Sequence, residues 1–191
     1  MEVTTKPNYT KTDPEFIPAK NFYKGRNMPV QLIVIHTMEA PEKGETAEAV
    51  ANYFKNSGVR ASAHYCIDSN SVVQCVYDND TAWHCKNANA NGLGLEHAGY
   101  AKQDEIEWND EYSKAMLDNS AQIAAYLCNK FNIPVQHARF AGPDESKVLF
   151  KGFCGHAEVP NHGSHWDPGE YFPWDNYFEL VKKYLHDIQG Q

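Results

Sequence analysis

The sequence has no apolar run approaching the ~18 residues that a membrane span requires. Met1 to Thr12 is polar and has no apolar h-region, so no signal peptide is expected there. Positive charge is also scarce: 17 Lys and Arg stand against 25 Asp and Glu, a net charge of -8. That balance leaves no basic stripe for nucleic acid and gives nothing for anionic lipid to attract. There is no C-x-x-C. The five cysteines, at 66, 75, 85, 128 and 154, are odd in number, and Cys66, Cys75 and Cys128 fall in apolar patterns where small buried thiols are common. A reducing site of synthesis without a disulfide framework is expected. Repeats, low-complexity tracts and a composition break that would mark a second domain are all missing.

What is present suits one soluble domain. The 191 residues can bury a sizeable core, and 42% hydrophobic with 22% charged residues is ordinary globular composition. The run V-Q-L-I-V-I-H-T-M, Val30 to Met38, reads as a buried central strand because it is continuously apolar and rich in β-branched residues. Ala47, Val50 and Phe54 fall at helical spacing within Glu45 to Lys55. Ala61 to Asp68 and Val72 to Asp78 form two strands around the turn Ser69-Asn70-Ser71, an antiparallel hairpin. Thr81 to Ala90 is a polar loop, and Gly92 to Gly99 a further strand. Asn109 is the expected N-cap of a long helix marked by Met116, Ser120, Ile123, Leu127 and Phe131, which stops before Pro134. Residues 135 to 170 read as a long irregular stretch rich in Gly, Pro and His, of a kind that is usually functional. Trp174 to Gln189, with Tyr177, Val181, Leu185 and Ile188 on one face, is a last helix. The pattern predicts an α/β fold with a mixed central sheet of five or six strands and helices on both faces. Residues 1–20 form an arm and residues 21–191 a single domain, with Phe16, Phe22 and Tyr23 of the lead-in expected as anchors onto the core.

Nine histidines are the unusual feature. Four, at 36, 64, 84 and 97, lie in or at the ends of strand-like segments; three more crowd into residues 156–165. His36 at the exit of a buried strand has its backbone held rigidly, which suits a metal ligand. The plainer alternative is a histidine bonded to a carbonyl. Cys154-Gly155-His156 and His165-Trp166-Asp167-Pro168-Gly169 offer further ligands. A catalytic zinc takes three protein ligands and keeps a fourth position for water, so one ligand from a strand and two from a later loop make a plausible set. A closed structural site with four ligands, Cys154 included, is the rival arrangement.

Five ordered blocks, I-V-I-H-T-M-E-A, S-A-H-Y, A-W-H, G-L-G-L-E-H-A-G and G-H…H-W-D-P-G, resemble the type-2 N-acetylmuramoyl-L-alanine amidases, which share the fold of the peptidoglycan recognition proteins. The resemblance covers residues 21 to 185, and the lead-in N-F-Y-K-G-R looks more like phage endolysins and their prophage or bacterial relatives. It implies that His36, His156 and Asp167 bind Zn2+, that Glu96 is the general base and that His165 helps to stabilise the oxyanion. Some members use a Tyr just before the His of S-x-H-Y; here that position is Ala63, so the base role would fall to Glu96. Thr37, Arg60, His64, Trp83 and His84 become candidates for the substrate groove, Arg60 as partner of a stem-peptide carboxylate.

The implied activity is zinc-dependent hydrolysis of the amide between N-acetylmuramic acid and L-alanine. Such chemistry needs a metal-activated water, a base and an oxyanion stabiliser. The expected protein is a monomer that takes peptidoglycan or muropeptide, with no nucleic-acid or membrane partner. It would be made in the bacterial (host) cytoplasm and act on the wall. A non-catalytic peptidoglycan-binding module on the same fold and a cytosolic muropeptide-recycling amidase are the alternatives.

Overall fold

Alternation along the strands decides which way every functional side chain faces. The computed structural model describes residues 14–143 and 145–190. Its elements in order are β1 (Glu15–Phe16), β2 (Phe22–Tyr23), β3 (Leu32–Thr37), α1 (Thr46–Phe54), β4 (Tyr65–Ile67), β5 (Val72–Gln74), β6 (Thr81–Ala82) and β7 (Gly92–His97). Then come α2 (Glu111–Phe131), β8 (Arg139–Gly142), β9 (Glu145–Phe150), β10 (Gly152–Gly155) and α3 (Trp174–Gln189). Six strands form a mixed sheet in the order β1-β5-β4-β7-β3-β10. Only the β4–β5 hairpin is antiparallel; the other four pairings are parallel. β2 with β6, and β8 with β9, make two small antiparallel ribbons beside it.

Ile33 and Ile35 of β3, Leu93 and Leu95 of β7, Tyr65 and Ile67 of β4 and Phe153 of β10 point to one face. There they pack on Met116, Ala124 and Leu127 of α2 and Tyr177 and Val181 of α3. Burial of each large side chain contributes roughly 1.5–3 kcal/mol. On the opposite face α1 covers only the β4–β5 end, through Ala47, Ala51 and Phe54 against Cys66 and Val73. A smaller cluster of Leu32, Val34, Cys85, Ala88, Cys154 and Val159 closes the bottom of the β3–β10 end. Above that cluster the face stays free for chemistry.

Three expectations need correction. Residues 135–170 are not structureless: they hold the β8–β9 hairpin and β10, which extends the sheet by pairing with β3 from Gly152↔Leu32 to Gly155↔Ile35. The N-cap of α2 is Asp110, not Asn109. Asp110 is extended and its carboxylate accepts the Ser113 N–H at 2.7 Å, whereas Asn109 ends a 3-10 turn. The Val30–Met38 strand lies between β7 and β10, one place in from the sheet edge rather than at its centre. Residues 1–13 of the expected arm lie outside the described residues; its remainder supplies β1, and Ile17 and Ala19 continue that contact by donating to Gln74 and Cys75.

Candidate active site

The register of the parallel strands builds the site as a row. His36 of β3 pairs with Glu96 of β7, and Glu96 with Cys66 of β4. Partners in register share a face, and here it is the face away from α2 and α3. His156 follows β10 directly, so it emerges beside His36; the two rings meet edge to face with centroids 4.7 Å apart. Its backbone is held in a tight turn, where Gly155 N–H donates to Glu158 Oε2 at 2.5 Å and Ala157 N–H to the Asp167 carbonyl at 3.1 Å. That second contact brings the late loop back over the row.

Asp167 thereby reaches both imidazoles. Its Oδ2 lies 2.9 Å from His36 Nδ1 and its Oδ1 3.4 Å from His156 Nδ1. Donor atoms of His36, His156 and Asp167 all fall within 4.8 Å of one another, and all three residues are buried. Burial by itself would raise the Asp167 carboxyl, but hydrogen bonds and charge from His156 and His36 outweigh it and hold the acid well below its usual range. Burial lowers the His36 imidazole, with Asp167 opposing, which favours the neutral ring that a metal needs. Two imidazoles and one carboxylate are a donor set that zinc takes while leaving a position open. Cys154 is not part of the group; it is buried with Leu32 and Val34, so a fourth, thiolate ligand has no support among the described residues.

Glu96 stands next in the row, half-buried, and first burial and then the charge of Asp167 push its carboxyl well above the usual range. A carboxylate so raised beside a metal-ligand set suits proton transfer. His165 is more than half exposed; its ring stacks on His156 at 4.0 Å and its Nδ1 is 3.7 Å from Asp167 Oδ1.

The groove candidates separate. Thr37 follows His36, so alternation turns it to the opposite face, where its hydroxyl donates to Glu39 at 2.7 Å. His64 is fully buried: Nδ1 accepts the Gly94 N–H at 3.0 Å, and Nε2 faces the Asp80 carbonyl and Arg26 Nη2. Neither presents a free surface. Arg60 is exposed before β4. Trp83 is half-buried against Tyr23 of β2 at 5.1 Å. His84 turns inward, its Nδ1 3.0 Å from His36 Nε2. Arg26 is a residue that the sequence reading missed. Its guanidinium donates to the carbonyls of Asp78, Ala90 and Gly92 at 2.8, 3.3 and 3.1 Å, tying the lead-in to the start of β7. No local pattern signals this, since all three acceptors are backbone atoms more than 50 positions away.

Comparison with known proteins gives one answer. A family model described as N-acetylmuramoyl-L-alanine amidase matches residues 26–170. The N-acetylmuramoyl-L-alanine amidase A of Achromobacter lyticus is 31% identical over 159 residues, 78% of this chain and 81% of that protein. Among solved structures, the Staphylococcus aureus hydrolase AmiA in complex with its ligand superposes with a TM-score of 0.72 at 18% identity, covering 94% of this chain and 86% of that one. An E90A mutant of PlyL gives 0.64 at 14% identity over 90% and 99%. A derivative of AmpD gives 0.63 at 20% over 88% and 94%. At these identities the structures speak to the fold.

Proposed function

The chain belongs to the N-acetylmuramoyl-L-alanine amidase family, and from that premise we propose that His36, His156 and Asp167 hold its catalytic zinc. The protein is an amidase acting on peptidoglycan; what is proposed is how these residues do it. The observation that carries the reading is the meeting of three buried donors, drawn from β3, the turn after β10 and the late loop, in one row with Glu96.

Bound zinc would lower the pKa of a water to about 7 and polarise the scissile carbonyl. Asp167 orients the set by facing both imidazoles. Glu96 takes the proton from the attacking water and returns it to the departing L-alanine nitrogen. Its burial disfavours the anion, so the charged state is poised to accept a proton. His165, the most exposed member, donates an N–H toward the oxyanion. Residues 21–191 form the catalytic unit, a monomer on its substrate, with exposed Arg60 and the Tyr23–Trp83 pair as contacts for the stem peptide or glycan. The protein acts on the cell wall, as endolysins do.

Mass spectrometry of purified peptidoglycan digested with and without a chelator tests this. Stem peptides with a free L-alanine N-terminus, lost on chelation and restored by zinc, are expected. New reducing sugar ends, or full activity in protein shown metal-free by elemental analysis, would overturn the reading.

A further inference from the structure

We infer that His84 is a positioning residue for the metal centre: it accepts the Nε2–H of His36 and so fixes the tautomer in which His36 Nδ1 offers its lone pair to zinc. The inference rests on the metal reading above and goes beyond it to a residue outside the ligand set.

The argument starts from which nitrogen is free. His36 Nδ1 faces Asp167 and the metal position. A neutral imidazole that ligates through Nδ1 carries its proton on Nε2. That Nε2 lies 3.0 Å from His84 Nδ1, a normal hydrogen-bond length, with the two rings edge to face at 88°. With the proton on His36 Nε2, His84 Nδ1 must accept. The opposite polarity, in which His84 donates, places the His36 proton on Nδ1, where it points at Asp167 and blocks the metal. Control of the His84 proton is therefore control of the ligand.

The fold builds a place for this ring. An added Cβ at Gly94 would come within 2.7 Å of His84 Cγ and 2.8 Å of Nδ1; at Gly92 it would reach 3.3 Å from Cε1. The ring therefore lies on the bare glycine face of β7, directly before Glu96. Its backbone is pinned as well: the His84 and Cys85 N–H groups both donate to Asn89 Oδ1, at 2.9 and 2.7 Å. The far nitrogen, Nε2, is enclosed and has no hydrogen-bond partner among the described residues. A buried polar atom left unmatched is uncommon. It is accounted for here if the ring is kept for what its other nitrogen does. Residues that orient a ligating histidine in this way typically change metal affinity 10–100-fold when removed.

The test is zinc affinity of the purified full chain, by competition with a chromogenic chelator, for the unaltered protein and His84→Leu, His84→Asn and Gly94→Ala. Leu has no acceptor; Asn places its Oδ1 about where the imidazole Nδ1 stands. His84→Leu is expected to weaken zinc binding roughly 10–100-fold, His84→Asn to stay within a few-fold of the unaltered protein, and Gly94→Ala to weaken binding by displacing the ring. Thermal unfolding of the metal-free forms verifies folding. Zinc affinity unchanged in His84→Leu, or equally weak in His84→Asn and His84→Leu, would overturn the inference. Should His84→Leu not fold, ring 15N–1H correlations of the unaltered zinc-loaded protein decide. A proton on His36 Nε2 and none on His84 Nδ1 supports the inference; a proton on His84 Nδ1 refutes it. If the unaltered protein binds no zinc at all, the metal reading falls and takes this inference with it.

Discussion

Arg26 offers the most direct test of how the site is held from behind. Burial, partly offset by Asp78 and Asp80, lowers its guanidinium to about 10, so it remains charged at neutral pH. Three backbone carbonyls depend on it, those of Asp78, Ala90 and Gly92. Arg26→Ala leaves all three without that donor. A hydrogen bond to a charged group contributes roughly 1.5–3 kcal/mol, and an abandoned buried acceptor costs about 1–3. The Ala90 contact is long at 3.3 Å and the guanidinium is not wholly shielded. We therefore take about 1–1.5 kcal/mol for each contact, a loss of roughly 3–5 kcal/mol in total. For a chain of this size that is a fall in Tm of about 10 °C. Arg26→Lys retains the charge on a point donor that cannot serve three diverging acceptors, so it should recover about a third of the loss. Urea unfolding with an unchanged m-value is the assay, since a shifted midpoint at constant m reads stability alone. If Arg26→Ala stays within about 1 kcal/mol of the unaltered protein, water replaces the guanidinium freely and the bracing role is wrong.

Glu96→Gln keeps the shape and removes the base; zinc content is expected to be unchanged and turnover to fall on the order of 10²–10⁴-fold, and near-normal turnover would assign Glu96 to structure. His165→Ala should cost roughly 10²–10³-fold in turnover, the weight of one oxyanion donor, with zinc retained by elemental analysis; loss of zinc would make His165 a ligand. His97 is held neutral by burial, with partial opposition from its hydrogen bond to the His36 carbonyl, and its pKa is lowered to about 4. The unfolded imidazole takes its proton near 6.5, so the unfolded state gains protons first and stability declines as pH falls from about 6.5 toward 4, by up to about 3 kcal/mol. His97→Asn keeps a donor for the His36 carbonyl and should flatten this decline in urea melts run across that range; an unchanged decline would exclude His97 as its source.

Much of the fold was legible because its signals are local. The continuous apolar run into His36 gave β3, and the spacing of Met116, Ile123 and Leu127 and of Tyr177, Val181 and Leu185 gave α2 and α3. β10 was not legible. Its four residues, G-F-C-G, carry no length or alternation of their own, and they become a strand only by pairing with β3. The N-cap was missed by one residue because Asn109 and Asp110 are both good caps, and only the backbone conformation chooses between them. In the site, the residues were legible but their directions were not. The two-residue period of a strand does contain the signal that turns Thr37 away once His36 faces the metal. Nothing local places His64 beneath β7 or brings Arg26 to Gly92.

The block G-L-G-L-E-H makes up the whole of β7. Its even and odd positions serve different faces. Leu93 and Leu95 enter the core under α2 and α3, where truncation to alanine would cost roughly 2–5 kcal/mol through a cavity. Gly92 and Gly94 leave the other face bare, and that bareness admits the His84 ring against the backbone. Glu96 then continues the glycine face at the point where His36 and Cys66 lie in register with it. Glycine inside a strand is ordinarily a weakness, since it packs nothing and loses the most entropy on folding. Here the missing side chains create the space in which one imidazole backs another, and the carboxylate follows two residues later on the same face. Enlarging a residue on the leucine side therefore acts on stability through the core. Enlarging Gly94 acts on the metal centre through His84, whereas a side chain at Gly92 would first meet the Ala88 carbonyl; changes at Leu95 and at Gly94 should therefore separate in melting temperature and zinc affinity.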